Sequence, residues 1–214
     1  MLKRVPHSAV GLGFVVFALA TTSAQSVSAR NGRIFFTDQN DVEKPITNGK
    51  HDSQPYLSSD NRQVVFVRRI PSPNTETGIS ELWAVFVDGG EQPKRILSGE
   101  NYIEDSIVPG FQNPKFSPDA TRVYFEANGW ATAEAIKMLD VTSGKTKLLF
   151  PGLGVDVIRT GKYRGFLIGI KAPLTQDRGR IMVYWLLDPN GKEVMRIGET
   201  DSDLERFKRM YDIR

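Results

Sequence analysis

The sequence predicts an all-β fold built from repeated four-stranded units. Two segments recur along the chain, and both are patterned as strand, turn, strand. The composition is also that of an ordinary globular protein, with 40% hydrophobic and 25% charged residues among 214. This composition excludes a disordered or fibrous chain.

The first recurring segment occupies residues 54–66 (QPYLSSDNRQVVF) and 113–125 (NPKFSPDATRVYF), which align without a gap. Pairs of identical residues are Pro55 and Pro114, Ser58 and Ser117, Asp60 and Asp119, Val64 and Val123, and Phe66 and Phe125. Each proline suits the first position of a strand because it lacks an N–H. Serine and aspartate side chains form turns by bonding nearby backbone N–H groups, so these repeat residues are predicted to be structural and not catalytic.

The second recurring segment lies at residues 82–97, 136–149 and 183–197, with a weaker copy at 34–46. Each copy reads as a hairpin with a turn rich in Asp, Gly and Asn. In the first unit the stretch 68–80 is longer than its counterpart and is expected to be an exposed loop. Trp83 and Trp185 occupy equivalent strands, which indicates core packing.

Together the two hairpins make a unit of four short strands, which is typical of a β-propeller blade. The hairpins add up to about three and a half blades over residues 33–198. Because closed rings have four to eight blades, three arrangements stay open: a four-bladed ring, an open array, or a homodimer that pairs the free edges.

The N-terminus has the pattern of a secretory signal peptide over residues 1–24. Lys3 and Arg4 precede an uncharged stretch at 9–20, and small residues follow. Cleavage is expected after Ala24, with Ala29 as the alternative. The apolar stretch would span only ~18 Å as a helix, too short for a stable membrane span. The protein is therefore predicted to be periplasmic or secreted.

Removal of this leader leaves 26 basic residues (28 − 2) against 25 acidic ones. A nearly neutral body argues against a nucleic-acid partner. The chain has no Cys and two His, which argues against thiolate zinc sites and His-rich metal sites. No cofactor and no metal site are predicted.

The C-terminal tail, residues 199–214, is predicted to form a short helix. Ser202 and Glu205 have the spacing of a capping box. Leu204, Phe207 and Tyr211 then form an apolar stripe. We expect this helix to cover an open edge of the propeller.

The segments NPKFSPDATRVYF and ELWAVFVDGGEQPKRIL resemble the propeller repeats of the TolB family. The chain departs from that pattern at Ser59, where proline is usual, and at Asn61 and Ala120, where glycine is common. The third blade has lost the Pro, Ser and Asp positions. The resemblance covers residues 33–198 and does not include TolB's separate N-terminal domain.

The resemblance implies a non-catalytic propeller that binds a protein partner in the cell envelope, such as peptidoglycan-associated lipoprotein for the TolB family. The residues support no catalytic site, because a G-x-S-x-G motif is absent and His51 is the one histidine outside the leader. The alternative is a propeller module of, or related to, a secreted peptidase or polysaccharide lyase, since similar repeats occur in those proteins.

Overall fold

The computed structural model describes residues 23–72, 75–99, 110–128, 134–175, 177 and 179–213. These residues form four antiparallel sheets, one small two-stranded hairpin and one C-terminal helix. The all-β prediction with propeller-type blades and a short C-terminal helix is confirmed.

The N-terminal sheet has three strands in the order β1-β2-β3, namely β1 (Ser26–Arg30), β2 (Arg33–Thr37) and β3 (Glu43–Pro45). A two-residue turn joins β1 to β2, with positive φ at both Asn31 (51°) and Gly32 (70°). Such a turn matches the twist of a hairpin. The strand region begins with β1, ahead of the boundary predicted at residue 33.

Blade 1 has four strands in sequence order: β4 (Asp52–Leu57), β5 (Gln63–Ser72), β6 (Thr75–Phe86) and β7 (Lys94–Leu97). The prediction of an exposed loop over residues 68–80 is wrong. Strands β5 and β6 continue their pairing through this stretch, where Ile70 lies opposite Ile79. Ile79 is 7% exposed, so burial of an apolar side chain favours the longer hairpin.

Blade 2 contains β8 (Gln112–Phe116), β9 (Arg122–Asn128), β10 (Glu134–Asp140) and β11 (Thr146–Pro151). Blade 3 contains β12 (Leu153–Val157), β13 (Leu167–Lys171), β16 (Val183–Leu187) and β17 (Glu193–Gly198). A small hairpin, β14 (Leu174–Thr175) and β15 (Gly179–Arg180), is inserted in blade 3.

Apolar layers between successive sheets hold the blades together. Phe66 faces the N-terminal sheet beside Ile34 and Phe36, while its repeat counterpart Phe125 faces blade 1 beside Val65. Both repeat phenylalanines are completely buried. Blades 1 and 2 therefore bury the same repeat position against the sheet before them.

The repeat prolines do not begin their strands as predicted. Pro55 and Pro114 lie inside β4 and β8, each after a residue with positive φ: Gln54 at 52° and Asn113 at 48°. The pairing register shifts at both places, which marks a bulge. A bulge tolerates proline because the bulged residue needs no ladder hydrogen bond.

The helix α1 (Asp201–Met210) begins earlier than its predicted cap. Thr200 is the N-cap, and its hydroxyl accepts a hydrogen bond from the Asp203 N–H at 3.2 Å. The Asp203 carboxylate in turn accepts from the Thr200 N–H, also at 3.2 Å. The capping box thus joins Thr200 and Asp203, and the predicted pair of Ser202 and Glu205 lies inside the helix.

Helix α1 covers a sheet face and not a strand edge, which corrects the predicted lid. Phe207 is buried against Ile158, Ile168 and Leu186 on the side of blade 3 that faces away from blade 2. Leu204 and Tyr211 complete the contact as the stripe predicted. The helix thereby removes the apolar end face of the last blade from water.

The outer face of the N-terminal sheet, at the opposite end of the array, carries an exposed ion pair. On the outer face of the N-terminal sheet, Arg30 pairs with Glu43 and lies over the Phe35 ring, 4.1 Å from its centroid. Among the described residues no sheet combines strands from both ends of the chain. The described strands therefore form an open array with a different cap at each end.

Candidate functional site

The repeat turn residues form two matching hydrogen-bonded turns. The Ser58 hydroxyl donates to the Asp60 carboxylate at 2.6 Å, and the Ser117 hydroxyl donates to Asp119 at the same distance. This hydrogen bond is the largest cause that lowers the pKa of each aspartate below its ordinary value. These groups are occupied in holding turns, so they are unsuited to catalysis.

The residues that follow these two aspartates stand where glycine is common in TolB repeats, and their backbone has a conformation that favours glycine. Asn61 and Ala120 have φ of 58° and 57°, in the left-handed region that glycine adopts freely. Asparagine tolerates this conformation better than alanine does.

Neither a metal-binding cluster nor a hydrogen-bonded histidine ring occurs among the described residues. No group of three or more His, Asp and Glu side chains that could hold a metal occurs in the part of the chain the structure describes. His51 lies exposed in the connection before β4. Within the described ranges its ring makes no hydrogen bond, and its backbone oxygen accepts from the Arg69 N–H at 3.1 Å.

A cluster at the inner edge of the blades is the strongest candidate for a binding surface. The first strands β4, β8 and β12 lie next to one another in succession, so they form the axial edge of the array. Tyr56, Lys115 and Asp156 each lie one residue before the end of these strands. We call these three residues and the adjacent Arg159 the axial cluster.

Arg159 connects blade 3 to blade 1 within the axial cluster. Its Nε donates to the Tyr56 hydroxyl at 2.8 Å, and its Nη2 donates to the Leu57 carbonyl oxygen. The Lys115 ammonium lies 4.6 Å from the centroid of the Tyr56 ring. Burial raises the pKa of the Tyr56 hydroxyl, while the Arg159 charge opposes that rise.

This arrangement is suited to binding a protein. Arginine and tyrosine are enriched among the residues that dominate binding energy at interfaces. Rigid strands from three blades position the side chains, which reduces the entropy lost on binding. The cluster carries two cations, Lys115 and Arg159, and the exposed carboxylate of Asp156.

A cleft of about 450 Å³ opens beside the inserted hairpin of blade 3. Trp185 lines it and is half-buried, while Lys171 and Glu193 form an ion pair in its wall at 2.6 Å. Packing against the cluster between blades 2 and 3 confirms the expected core role for part of the Trp185 side chain.

Trp83 belongs to a network of partly buried charges on blade 1. Arg68 binds the Asp52 carboxylate through two nitrogens, at 2.6 and 2.9 Å, and lies 4.2 Å from the Trp83 ring centroid. The Trp83 indole donates to Glu81, which also accepts from Arg95. The buried carboxylates Asp52 and Glu81 are thus each paired with a cation.

The repeat alignment contained part of the signal for the axial cluster. It makes Tyr56 and Lys115 equivalent, but because the two side chains differ, the alignment does not indicate a shared function at this position. Arg159 carried no sequence signal because the motif is lost in blade 3. Its partner Tyr56 is 103 residues away in the chain.

Most of the predicted leader lies outside the described residues. Ala24 precedes β1 without regular structure, and Ala29 lies within β1 opposite Ile34. In the part of the chain that the structure describes, no helix has the length and hydrophobicity needed to cross a membrane.

No protein-family model matches the chain, and no curated protein matches it either. Solved structures do match. Dipeptidyl peptidase 4 of Porphyromonas gingivalis aligns with a TM-score of 0.54 and 14% identity, over 83% of this chain and 31% of that one. TolB of Acinetobacter baumannii aligns with a TM-score of 0.52 and 18% identity, over 77% of this chain and 37% of that one.

A third match is the β-propeller domain of the trilobed protease of Pyrococcus furiosus, described as having an open velcro topology. It aligns with a TM-score of 0.52 and 14% identity, over 79% of this chain and 49% of that one. The chain thus spans less than half the length of these three proteins. At these identities the likeness shows the fold alone, which is that of a β-propeller.

Proposed function

We propose that this chain is an exported, non-catalytic propeller that binds a protein partner in the cell envelope, as the TolB-like repeats suggest. The observation that carries the proposal is the axial cluster. Three blades contribute an aromatic ring, two cations and a carboxylate to one surface at the inner edge of a rigid scaffold. Such composition supports protein recognition more than chemistry.

Charge reversal at Lys115 tests this proposal. Lys115 lines the surface without anchoring the fold through a buried ion pair, so Lys115→Glu should keep the fold and repel an acidic partner. The matched control is Lys147→Glu, which changes an exposed lysine on the outermost strand β11.

The measurement is a quantitative pull-down from an envelope extract with the purified wild-type and variant proteins. We expect one envelope protein to be retained by the wild type and by Lys147→Glu, and lost with Lys115→Glu. Equal retention of the envelope protein by all three proteins would show that the axial cluster is not part of the binding surface.

Export carries its own test. N-terminal sequencing of the protein recovered from the periplasm or the medium should begin at Gln25, because cleavage after Ala29 would cut through β1. Recovery of the protein with Met1 intact in the cytoplasm would contradict export.

The second candidate is a module related to secreted peptidases or polysaccharide lyases. The match to dipeptidyl peptidase 4 favours it, because the chain aligns with 31% of that protein, as one module of a larger enzyme would. The purified protein should show no turnover in peptidase and lyase assays if the binding proposal is right. Turnover that disappears in His51→Ala would favour the enzyme-related alternative.

A further inference from the structure

Among the described residues, the N-terminal sheet has no strand in the innermost position that every complete blade fills. Its strands β2 and β3 correspond to β6 and β7 of blade 1, so β1 corresponds to the second strand, β5. Strands β4, β8 and β12 are the innermost strands of the three complete blades. No described strand pairs with β1 on this side, and the neighbouring β4 contacts β1 without joining its sheet.

The edge of β1 that faces the vacant position has unpaired hydrogen-bonding groups. The two-residue turn makes Arg30 and Arg33 a hydrogen-bonded pair, and pairs alternate along an antiparallel ladder. The N–H and C=O groups of Val27 and Ala29 therefore point away from β2. Within the described ranges no backbone partner for these groups is present.

A second observation comes from the bulge of the neighbouring innermost strand. In blade 2 the bulged Asn113 donates its backbone N–H to the Gln54 side-chain oxygen of the preceding blade, at 2.6 Å. Gln54 occupies the same bulge position in blade 1 with nearly the same φ, and it has no partner in the β4–β5 register. Its N–H thus points toward the vacant position, where no described residue offers an acceptor.

We propose that an extended segment of a partner protein binds in this vacant position, antiparallel to β1. It would complete the sheet through the backbone groups of Val27 and Ala29 and place a Gln or Asn side chain where the Gln54 N–H can donate to it. The chain's own strands indicate the pattern that fits, Gln-Pro-x-Leu in β4 and Asn-Pro-x-Phe in β8. This mode of recognition adds a strand to an exposed sheet edge.

The proposed binding uses backbone groups of β1 and Gln54 and none of the side chains of the axial cluster, and it is tested without the envelope partner. The probe is a fluorescein-labelled peptide with the sequence of residues 50–60 (KHDSQPYLSSD), titrated with the purified full chain and followed by fluorescence anisotropy. We expect saturable binding. One comparison peptide has Leu in place of its Gln, and a second has N-methyl groups on alternate amides.

Both altered peptides should bind about tenfold more weakly or worse, since each loses at least one hydrogen bond. On the protein side, Ala29→Pro removes an outward N–H without touching the β1–β2 ladder and should reduce binding similarly. Ala29→Val is the matched control and should bind the peptide as the wild type does.

Any one of three results would overturn the proposal. The first is the absence of saturable binding to the wild type, and the second is equal binding of the N-methylated peptide; neither needs a protein variant. The third is a concentration-dependent dimer that Ala29→Pro dissociates in sedimentation experiments, since it would assign the position to a second copy of this chain.

Discussion

Ala120 stores backbone strain in the turn between β8 and β9. Its φ of 57° costs an alanine about 1–2 kcal/mol, while glycine at this position would lose about 0.5–1 kcal/mol through the entropy of the unfolded chain. We therefore expect Ala120→Gly to raise the free energy of unfolding by about 0.5–1 kcal/mol. The same change at Asn61, where asparagine tolerates the conformation, should give almost no gain. Urea denaturation of the two variants measures the difference.

Asp119 makes the stability of the same turn depend on pH. The Ser117 hydroxyl, its largest influence, lowers the pKa of Asp119 below 3.8, so the ionised form is favoured by folding. The stabilisation that ionised Asp119 gives the folded protein is therefore complete above about pH 3.8. It is lost as the pH falls through the lower pKa that Asp119 has in the folded state. The wild type should be more stable than Asp119→Asn at neutral pH, and the gap should close in acid. An unchanged gap at about pH 2 would contradict this assignment.

Phe125 is the residue whose loss should destabilise the packing between blades most clearly. It is completely buried between blades 1 and 2, in edge contact with the Phe111 ring at 5.2 Å between centroids. Truncation to alanine should cost about 3–5 kcal/mol of unfolding free energy. Thr121→Ala, in the exposed turn of the same hairpin, should cost less than about 1 kcal/mol. Similar costs at both positions would contradict the inward placement of Phe125.

At the scale of elements, repeated hairpins were predictable and the connections between them were not. Equivalent Ser-x-Asp turns predicted β4–β5 and β8–β9 because local side-chain hydrogen bonds determine such turns. Strand β1 was not predicted because its sequence is short and polar. It forms a strand by pairing with β2 across the Asn31–Gly32 turn. The long β5–β6 hairpin escaped it because a Pro- and Thr-rich stretch resembles a loop until the pairing with its neighbour is known.

The cap of α1 gives an element-scale prediction. Thr200→Ala should destabilise the protein by about 1 kcal/mol, since it removes the acceptor for the first orphan N–H groups. Ser202→Ala should have almost no effect, because Ser202 lies exposed in the first turn and alanine is the better helix former. Thermal unfolding of both variants under the same conditions checks the order. A larger cost at Ser202 would contradict Thr200 as the N-cap and favour Ser202 instead.

At the scale of the whole molecule, the number of blades followed from the hairpin count, while the arrangement of the ends required the structure. Each end of the array has its own cap, with α1 on blade 3 and the Arg30–Glu43 pair on the N-terminal sheet. Composition alone could not place these caps, because they depend on contacts between distant segments. The axial cluster could not be predicted either, because Arg159 contacts Tyr56 only when the three blades are packed together.

The central structural claim is that the blades form an open array whose last face is covered by α1. Sedimentation velocity on Phe207→Ser, with Met210→Ser as the control, tests it most directly. Phe207 is 7% exposed against blade 3, whereas Met210 on the same helix is 68% exposed. We predict that Phe207→Ser aggregates or changes its oligomeric state while keeping a β-type circular dichroism spectrum, and that Met210→Ser sediments like the wild type. A monodisperse Phe207→Ser protein in the wild-type oligomeric state would show that the last blade is covered in some other way.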